Sequence, residues 1–517
     1  MIQQIELIIK PEDLLSEGIL KNTAAYQLRL NQEQISAVIP LKRSIDARSR
    51  NVVYRILTDV YIDENPIEQK RNICYNAVSN HKKVIIVGFG PAGMFAALKL
   101  IELGIKPIVI ERGKDVQTRR RDIRAIQQEH IVNPDSNYCF GEGGAGAYSD
   151  GKLYTRSTKR GDTKRILDIL IQHGAEPDIA IDTHPHIGSN RLPKIVAAIR
   201  DNILQNGGEI LFNSRLTDFI FNKNKIIGIR INNSTEIFGD SVILATGHSA
   251  RDIFYLLNNS KIRIEPKPFA MGVRIEHPQE LINEIQYHTK EKNENLPSAS
   301  YSLACNIDER GVYSFCMCPG GIIVPAATSP GEIVVNGMSL SKRNSPFANS
   351  GFVVEITEKE WSKYSNSYPF SGLLLQQELE KQAYELANNT QSAPAQRLTD
   401  FVAGRISSSL PKSSYIPGLT SAPLHESLPK FIRSRLIKSL DVFDKKMRGY
   451  NSEDAVLVGV ESRTSSPIRI PRDKETFMHP DIIGLFPCGE GAGYAGGIVS
   501  AAIDGENVVE GINRFLL

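Results

Sequence analysis

A chain of 517 residues, 41% hydrophobic and 23% charged, is long enough for two or three domains and ordinary in composition for a globular protein. Its 61 basic and 58 acidic residues leave a net charge of +3, which gives no reason to expect nucleic acid or a membrane surface as a partner. Six cysteines are too sparse for a disulfide scaffold and suit a reducing, cytoplasmic compartment.

The amino terminus lacks a basic n-region and Glu6 interrupts its apolar run, so no signal peptide is expected, and no stretch reads as a membrane span. Residues 1–80 predict a small α+β domain: strands over 5–9, 35–41 and 52–62, and a short helix over 12–20. The cations of 42–48 read as a solvated turn between strands, with a partner site as the alternative.

Residues 84–111 hold the first strong signal. An apolar β-branched run, Val84 to Val87, leads into Gly88-Phe89-Gly90-Pro91-Ala92-Gly93, a helix stopped at Gly104, and a second apolar run ending in Glu111. This is the pattern of a dinucleotide-binding βαβ unit. Gly88 permits the tight turn, Gly90 lets backbone amides approach a pyrophosphate, and Gly93 lets the helix lie close on the sheet. Pro91 falls in the first helical turn, where its missing N–H had no partner, and Ala92 keeps that turn small. Glu111 is placed to accept both hydroxyls of an adenosine ribose, and its charge argues against a 2′-phosphate and so against NADP. The literal repeats of the motif at 141–146 and 491–496 lack the strand, helix and acid that the first possesses.

Beyond Glu111, Arg112 and the basic helix holding Arg119–Arg121 and Arg124 offer a guanidinium for the pyrophosphate. The run 140–153 is too glycine-rich for a core element. Its Gly143, Gly144 and Ala145, with Lys152, suit a loop that a ligand approaches closely. A helix from residue 191 and a strand meander over 210–245 follow, ending in Ala245-Thr246-Gly247-His248 beside the nucleotide. Residues 262–454 read as an inserted α+β domain, with strands over 271–276, 312–324 and 332–335 and helices over 373–387 and 431–443. Four prolines lie between those helices, in 411–429. The chain is expected to re-enter the first domain at 455–460, giving domains of 1–80, 81–261, 262–454 and 455–517. Near the end, the strand and turn 482–490 lead into Gly491-Ala492-Gly493-Tyr494-Ala495-Gly496-Gly497 and a helix from Ile498, which presents bare amides to an electron-rich atom.

Three motifs in this order, Gly88-x-Gly90-x-x-Gly93 with Glu111, Gly239-Asp240 through Ala245-Thr246-Gly247, and 484–490, resemble the FAD-binding domain of the glutathione-reductase structural family. The fold class so implied is α/β: a discontinuous Rossmann-like FAD-binding domain, an inserted α+β substrate domain and the small amino-terminal α+β domain. The resemblance implies FAD as cofactor, with Glu111 on the adenosine ribose, Gly489 and Glu490 at the ribityl chain where relatives usually carry aspartate, and Gly496, Gly497 and Ile498 at the flavin's pyrimidine end. The motifs at 143–152, 247–252, 315–321, 463–467 and 489–497 are similar to those of the uncharacterised FAD-dependent dehydrogenases of bacteria. That similarity runs over nearly the whole chain.

No second complete βαβ unit is visible in 262–454, so no dedicated nicotinamide domain is expected: either NADH or NADPH visits the flavin transiently, or another donor supplies the electrons. Candidate catalytic residues are His248, as a proton donor or a hydrogen-bonded structural histidine; Arg274, which with Arg463, Arg469 and Arg472 would suit an anionic substrate; and Cys316 and Cys318, as buried structural thiols or a redox pair. No metal site is expected, since the cysteine pair has no companion ligands. The activity implied is hydride exchange between flavin N5 and a small-molecule substrate. The alternatives are a flavin-dependent RNA-modifying enzyme and a non-catalytic, FAD-binding redox sensor.

Overall fold

Alternating burial along the amino-terminal strands builds a separate small sheet. In the computed structural model, which describes residues 1–16, 18–66, 72–78, 81–154, 161–291 and 293–517, β1 (Ile2–Ile9), α1 (Ile19–Leu28), β2 (Ile35–Asp46) and β3 (Val53–Ile62) pack with strand order β1-β3-β2, all antiparallel. Every second residue of β3 is buried, against Ala24 and Ala25 of the helix. The expected helix over 12–20 is displaced: only Pro11–Asp13 forms a single tight turn there, and the helix begins after the left-handed Gly18. Residues 42–46 are not a turn but continue β2. Arg43 lies there with its amide donating to the Ile181 carbonyl at 2.7 Å and its guanidinium paired to Asp178 and Asp182, which fastens this sheet to the rest of the chain. The expected boundary at residue 80 lies outside the described residues.

Next come β4 (Lys83–Val87), α2 (Pro91–Glu102), β5 (Lys106–Ile110), α3 (Arg119–Gln128), α4 (Thr163–Gln172), α5 (Leu192–Gln205) and β6 (Glu209–Leu211). A three-stranded antiparallel meander, β7 (Leu216–Asn222), β8 (Lys225–Ile231) and β9 (Thr235–Phe238), precedes β10 (Ser241–Leu244) and α6 (Arg251–Asn259). The first strands of this region, with a last strand from the end of the chain, form a five-stranded sheet that is parallel throughout, and β4 sits between β10 and β5. One face is covered by α2, α5 and the final helix, the other by the meander and α6. Strand order reverses at β4, so the crevice outside the carboxyl ends of β4 and β10 is the place where a parallel sheet of this kind receives a ligand.

The middle of the chain supplies β11 (Glu265–Pro266), β12 (Phe269–Pro278), α7 (Gln279–Tyr287), β13 (Ala304–Ile307), β14 (Arg310–Cys318), β15 (Gly321–Pro325), β16 (Val335–Ser339), β17 (Phe347–Ile356), α8 (Ser371–Leu386), β18 (Ala393–Arg397), α9 (Leu398–Ala403), β19 (Leu419–Ser421), α10 (Leu424–Ser427), α11 (Lys430–Lys446) and β20 (Val456–Glu461). Seven of these strands form a largely antiparallel sheet in the order β13-β14-β17-β12-β20-β18-β19, backed by α8 and α11. The strand at 455–460, expected to return to the nucleotide domain, is thus an inner strand of this second sheet, between β12 and β18. All six residues of β20 are buried, and a run buried on both faces carries no alternation that would assign it to one sheet rather than another. Only Val335 of the expected strand 332–335 is in a strand; Glu332 turns inward to an ion network instead.

The closing elements are β21 (Ile468–Arg469), β22 (Leu485–Pro487) and α12 (Ile498–Leu516). β22 pairs with β10, and α12 lies on α2 so closely that a Cβ at Gly505 would come within 2.3 Å of the Ala92 carbonyl. The two ends of the nucleotide fold therefore meet. Among the described residues no helix is long and apolar enough to cross a membrane.

Candidate functional site

The crevice begins at the loop between β4 and α2. A Cβ at Gly93 would lie 2.0 Å from the Gly88 carbonyl, and one at Gly88 2.4 Å from the Ala245 carbonyl, so these two glycines are demanded by packing within the chain. Gly90 has only the Cα of Gly144 near its missing side chain, at 3.8 Å. Gly143 donates to the Phe89 carbonyl at 2.8 Å, and the turn Gly144–Gly146, with Ala145 at its centre, comes to rest on Pro91 and Ile498. The three glycine-rich stretches that look alike in sequence thus meet around one opening.

Arg119 explains how a run with so few side chains keeps its shape. It is fully buried and donates to the carbonyls of Asn137, Glu142 and Gly144 at 2.7 to 2.9 Å. Arg119, one of the several arginines offered for a pyrophosphate, is therefore a scaffold for the loop beside it. Arg112 is similarly occupied: it pairs with Asp135 and Asp252 and stacks over Phe140.

Glu111 is 5% exposed, and its carboxylate accepts from the amides of Phe89, Gly113 and Gly141, each at 2.9 Å. A carboxylate has about four acceptor positions, so three are filled by backbone and about one remains for a hydroxyl, where two hydroxyls had been expected. The three amides also fix its direction.

At the far end of the crevice, β10 ends in Ala245-Thr246-Gly247 and β22 in Cys488-Gly489-Glu490. Gly491 backs onto the Gly247 carbonyl, at 2.5 Å from its would-be Cβ, and Gly489 onto Ala92 at 2.9 Å. A residue the sequence reading passed over holds this turn: Asp504 of α12 accepts from the Gly489 amide at 2.7 Å and is clamped by Arg472. Its signal was available, as an acid on the apolar face of a helix between Ile503 and Gly505. Burial pushes the Glu490 carboxyl up to about 7, against the opposing pull of Lys267. Because the protonated form is favoured on folding, the folded state loses stability as pH rises from the usual glutamate range through about 7. Glu490→Gln is expected to raise the melting temperature of FAD-free protein at pH 8 and to leave it unchanged at pH 4; equal shifts at both pH values would show that ionisation is not the cause.

The candidate catalytic side chains divide. His248 donates through Nε2 to the Arg463 carbonyl at 3.1 Å, and burial together with Arg463, Arg251 and Lys267 lowers it to about 3. It is neutral, with its N–H engaged, which is the hydrogen-bonded structural placement rather than that of a protonated acid. Arg274, fully buried, donates to Asn349, Glu461 and the Cys316 carbonyl, the last at 2.8 Å. Arg463 pairs with Glu332 and Glu380, and Arg472 with Asp504. Three of the four arginines expected to converge on an anionic substrate are thus neutralised by carboxylates inside the fold; only Arg469 is exposed. Lys152 leaves the glycine loop to place Nζ 3.7 Å from Cys316 Sγ and 3.9 Å from Cys318 Sγ. Among the described residues no three or more His, Cys, Asp or Glu side chains are grouped to hold a metal ion.

Comparison with known proteins gives this geometry its context. Residues 268–464 match a family model described as FAD-dependent protein, C-terminal domain-like, and residues 1–61 match a domain of unknown function. An uncharacterized protein of Clostridium beijerinckii is 39% identical over 515 residues, 96% of each chain. The chain belongs to the FAD-dependent protein family. The family match begins just before β12 and runs past β20, so it takes in the strand that the sequence reading had placed elsewhere. A thiamine thiazole synthase of Aeropyrum pernix is 26% identical over 192 residues, covering 34% of this chain and 59% of that one. Solved structures that resemble the chain include CtdE in complex with FAD (12% identity, 84% of this chain and 88% of that one, TM-score 0.32) and a geranylgeranyl bacteriochlorophyll reductase-like protein of Thermoplasma acidophilum (14%, 84% and 80%, TM-score 0.32).

The cofactor of this family member is FAD, and the residues present fit it. A Cβ added at Gly496 or Gly497 would meet nothing within 4 Å, and neither has a left-handed backbone, so the protein itself gives no reason for glycine at these positions, whereas close approach of a ligand does. Gly146 bridges the two helix starts, its would-be Cβ lying 3.2 Å from Pro91 and 3.5 Å from Ile498, and the helix-end amides of α2 suit a pyrophosphate.

Proposed function

We propose that the protein is an FAD-dependent oxidoreductase that exchanges a hydride between flavin N5 and a small-molecule substrate. Supporting this reading is one observation above the others: the glycine turn that leads into α12 carries the half-buried Glu490, whose carboxyl feels both Lys267 and Cys316, and a Cβ at Gly493 in the same turn would lie 3.1 Å from the Lys267 side chain. Such groups are characteristic of places where charge moves.

Bound along the crevice, FAD supplies two-electron chemistry that no side chain of the protein offers. Glu111 and the first turn of α2 would hold its adenosine diphosphate half, with Gly143, Gly144 and Ala145 covering the phosphates. Gly489 and Glu490 would flank the ribityl chain. The amino terminus of α12 directs the positive end of a 19-residue helix at an electron-rich ligand edge. The seven-stranded sheet would close the other side of this space through the partly accessible Cys316, whose carbonyl the buried Arg274 holds in place, keeping water out and orienting the substrate.

Among the described residues there is one parallel sheet of more than two strands, which is in keeping with a nicotinamide donor that visits rather than occupies a domain of its own. The reading is tested by recording the visible spectrum of purified protein and adding NADH and NADPH separately without oxygen. Bleaching by a donor followed by reoxidation with a small-molecule acceptor is expected. A flavin that no donor reduces would overturn the reading in favour of a redox sensor, and co-purifying RNA absorbing at 260 nm would turn it toward RNA modification.

A further inference from the structure

Cys316 and Cys318 sit where the pairing of β14 with β17 breaks. Register is regular from Val312 to Phe315, slips, and resumes with Cys318 opposite Asn349. At the slip Cys316 adopts φ 45°, a left-handed conformation unfavourable by about 1–2 kcal/mol for a residue with a β-carbon. Arg274 holds this bulge open by donating to the Cys316 carbonyl, and its Nη2 lies 3.6 Å from Cys318 Sγ. The consequence is that both sulfurs contact a single ammonium, that of Lys152. A pair of inert core thiols needs none of this: not the bulge, not the strained cysteine, not two cations.

The five charged groups facing the pair come from four places. Lys152 and Asp150 belong to the glycine loop, Arg274 to β12, Glu461 to β20, and Glu490 to the turn after β22. Asp150 is already paired with Arg343, and burial pushes both Glu461 and Glu490 up to about 7. Arg274 is committed to Glu461 and Asp150 lies nearer Arg343 than Lys152, so the cation left to the sulfurs is the Lys152 ammonium. A hydrogen bond from Cys318, with Lys152 and Arg274, holds Cys316 well below the usual thiol range, while the same hydrogen bond and burial push Cys318 well above it. Of the two sulfurs, Cys316 is the one favoured as thiolate. Cys316 is also the partly accessible member, and Cys318 is buried.

We propose that Cys316 and Cys318 are a two-electron thiol–disulfide couple serving the FAD site, and that the substrate class is a disulfide or its dithiol. The proposal rests on the oxidoreductase reading above. The pair belongs to the seven-stranded sheet, not to the nucleotide fold, so it is an addition to the FAD-binding framework and not part of it. In the reductive direction the Cys316 thiolate attacks one sulfur of the substrate disulfide, whose S–S bond breaks and releases the first substrate thiolate. Cys318 gives its proton to that thiolate and displaces the second substrate thiolate from Cys316, closing the Cys316–Cys318 disulfide. Reopening that bond takes two electrons, which FAD reduced by a nicotinamide or other two-electron donor would supply, and leaves Cys316 as thiolate while one proton returns to Cys318. In the opposite direction the thiolate and thiol surrender two electrons and one proton to FAD. Lys152 compensates the thiolate charge throughout.

Anaerobic reductive titration of the oxidised holoprotein with dithionite tests the couple. Wild type is expected to take up about four electrons per FAD, two for the flavin and two for the disulfide, and Cys316→Ser and Cys318→Ser about two each. Mass spectrometry of the peptide carrying residues 316–318 from oxidised protein should find it lighter by two hydrogens and resistant to iodoacetamide. Lys152→Met should slow iodoacetamide labelling of Cys316 at pH 6.5 by about tenfold, because the thiolate loses its nearest cation. A second measurement does not need FAD: FAD-free wild type is equilibrated in dithiothreitol redox buffers and the disulfide fraction read by mass. No disulfide at any ratio, with an uptake of about two electrons by wild type, overturns the proposal and leaves the oxidoreductase reading intact. A disulfide of defined potential in a protein whose flavin no donor reduces supports the couple and overturns that reading.

Discussion

Gly497→Val is expected to weaken FAD binding by at least about tenfold, or about 1.4 kcal/mol, while leaving the stability of FAD-free protein within about 0.5 kcal/mol of wild type. The two halves of this expectation have one origin. Gly497 is extended, at φ 168°, so valine adopts its backbone without strain, and its Cβ meets no protein atom within 4 Å. Nothing in the protein resists the side chain, so the penalty falls on the ligand. Gly93→Ala is the counterpart. Its Cβ would be driven to within 2.0 Å of the Gly88 carbonyl, so α2 must lift from β4, and overpacking of this kind destabilises the protein by about 1–3 kcal/mol with or without FAD. Urea unfolding of FAD-free protein and flavin fluorescence titration separate the two. A Gly497→Val protein that binds FAD as tightly as wild type would remove the main physical argument for where the cofactor lies.

The parts of this molecule that could be read from sequence are those whose physics is local. Gly93 has to be glycine because of the Gly88 carbonyl five residues earlier, and Glu111 has to end a strand one βαβ unit later, so a stretch of fewer than thirty residues pointed to the crevice, although the contact that demands Gly88 comes from Ala245. Alternation along 53–62 showed a strand with one buried face for the same reason. What failed depended on partners distant in sequence. β20 is apolar throughout and could join either sheet; its assignment is decided by hydrogen bonding to β12 and β18, which lie up to about two hundred residues away. Arginines 119, 274, 463 and 472 are legible as arginines, yet whether each is free for a ligand depends on carbonyls and carboxylates that only folding brings near. The cysteine pair is the sharpest instance. On a regular strand residues 316 and 318 would share a face and little more, but the slip against β17 and the arrival of Lys152 from the glycine loop change what the two sulfurs can do.

Glu380→Ala is expected to be the most damaging single substitution away from the crevice, at about 3–5 kcal/mol. Glu380 on α8 is fully buried and accepts from Arg251 at 2.8 Å, from Arg463 at 2.8 and 3.1 Å, and from Ser462 at 2.5 Å. Glu332 shares the same two arginines, so two positive and two negative groups balance where α6 of the nucleotide fold meets the elements of the second sheet. Removing one carboxylate leaves two guanidinium groups facing one acid in a site nearly closed to water. Removing a charge of each sign is different: Glu380→Leu with Arg463→Met leaves the Arg251–Glu332 pair neutral, and the double variant should therefore lose less stability than Glu380→Leu alone. Acid provides an independent measure. Burial by itself would raise Glu380, but Arg251 and Arg463 overcome it and hold the carboxyl at about 2, below its ordinary range. The stabilisation is therefore complete above the unfolded pKa and disappears as pH falls toward about 2, so wild type should lose stability over that interval more steeply than Glu380→Gln does. Parallel pH profiles, or a double variant weaker than the single, would mean that packing around α8, not the charge balance, joins the two halves of the molecule.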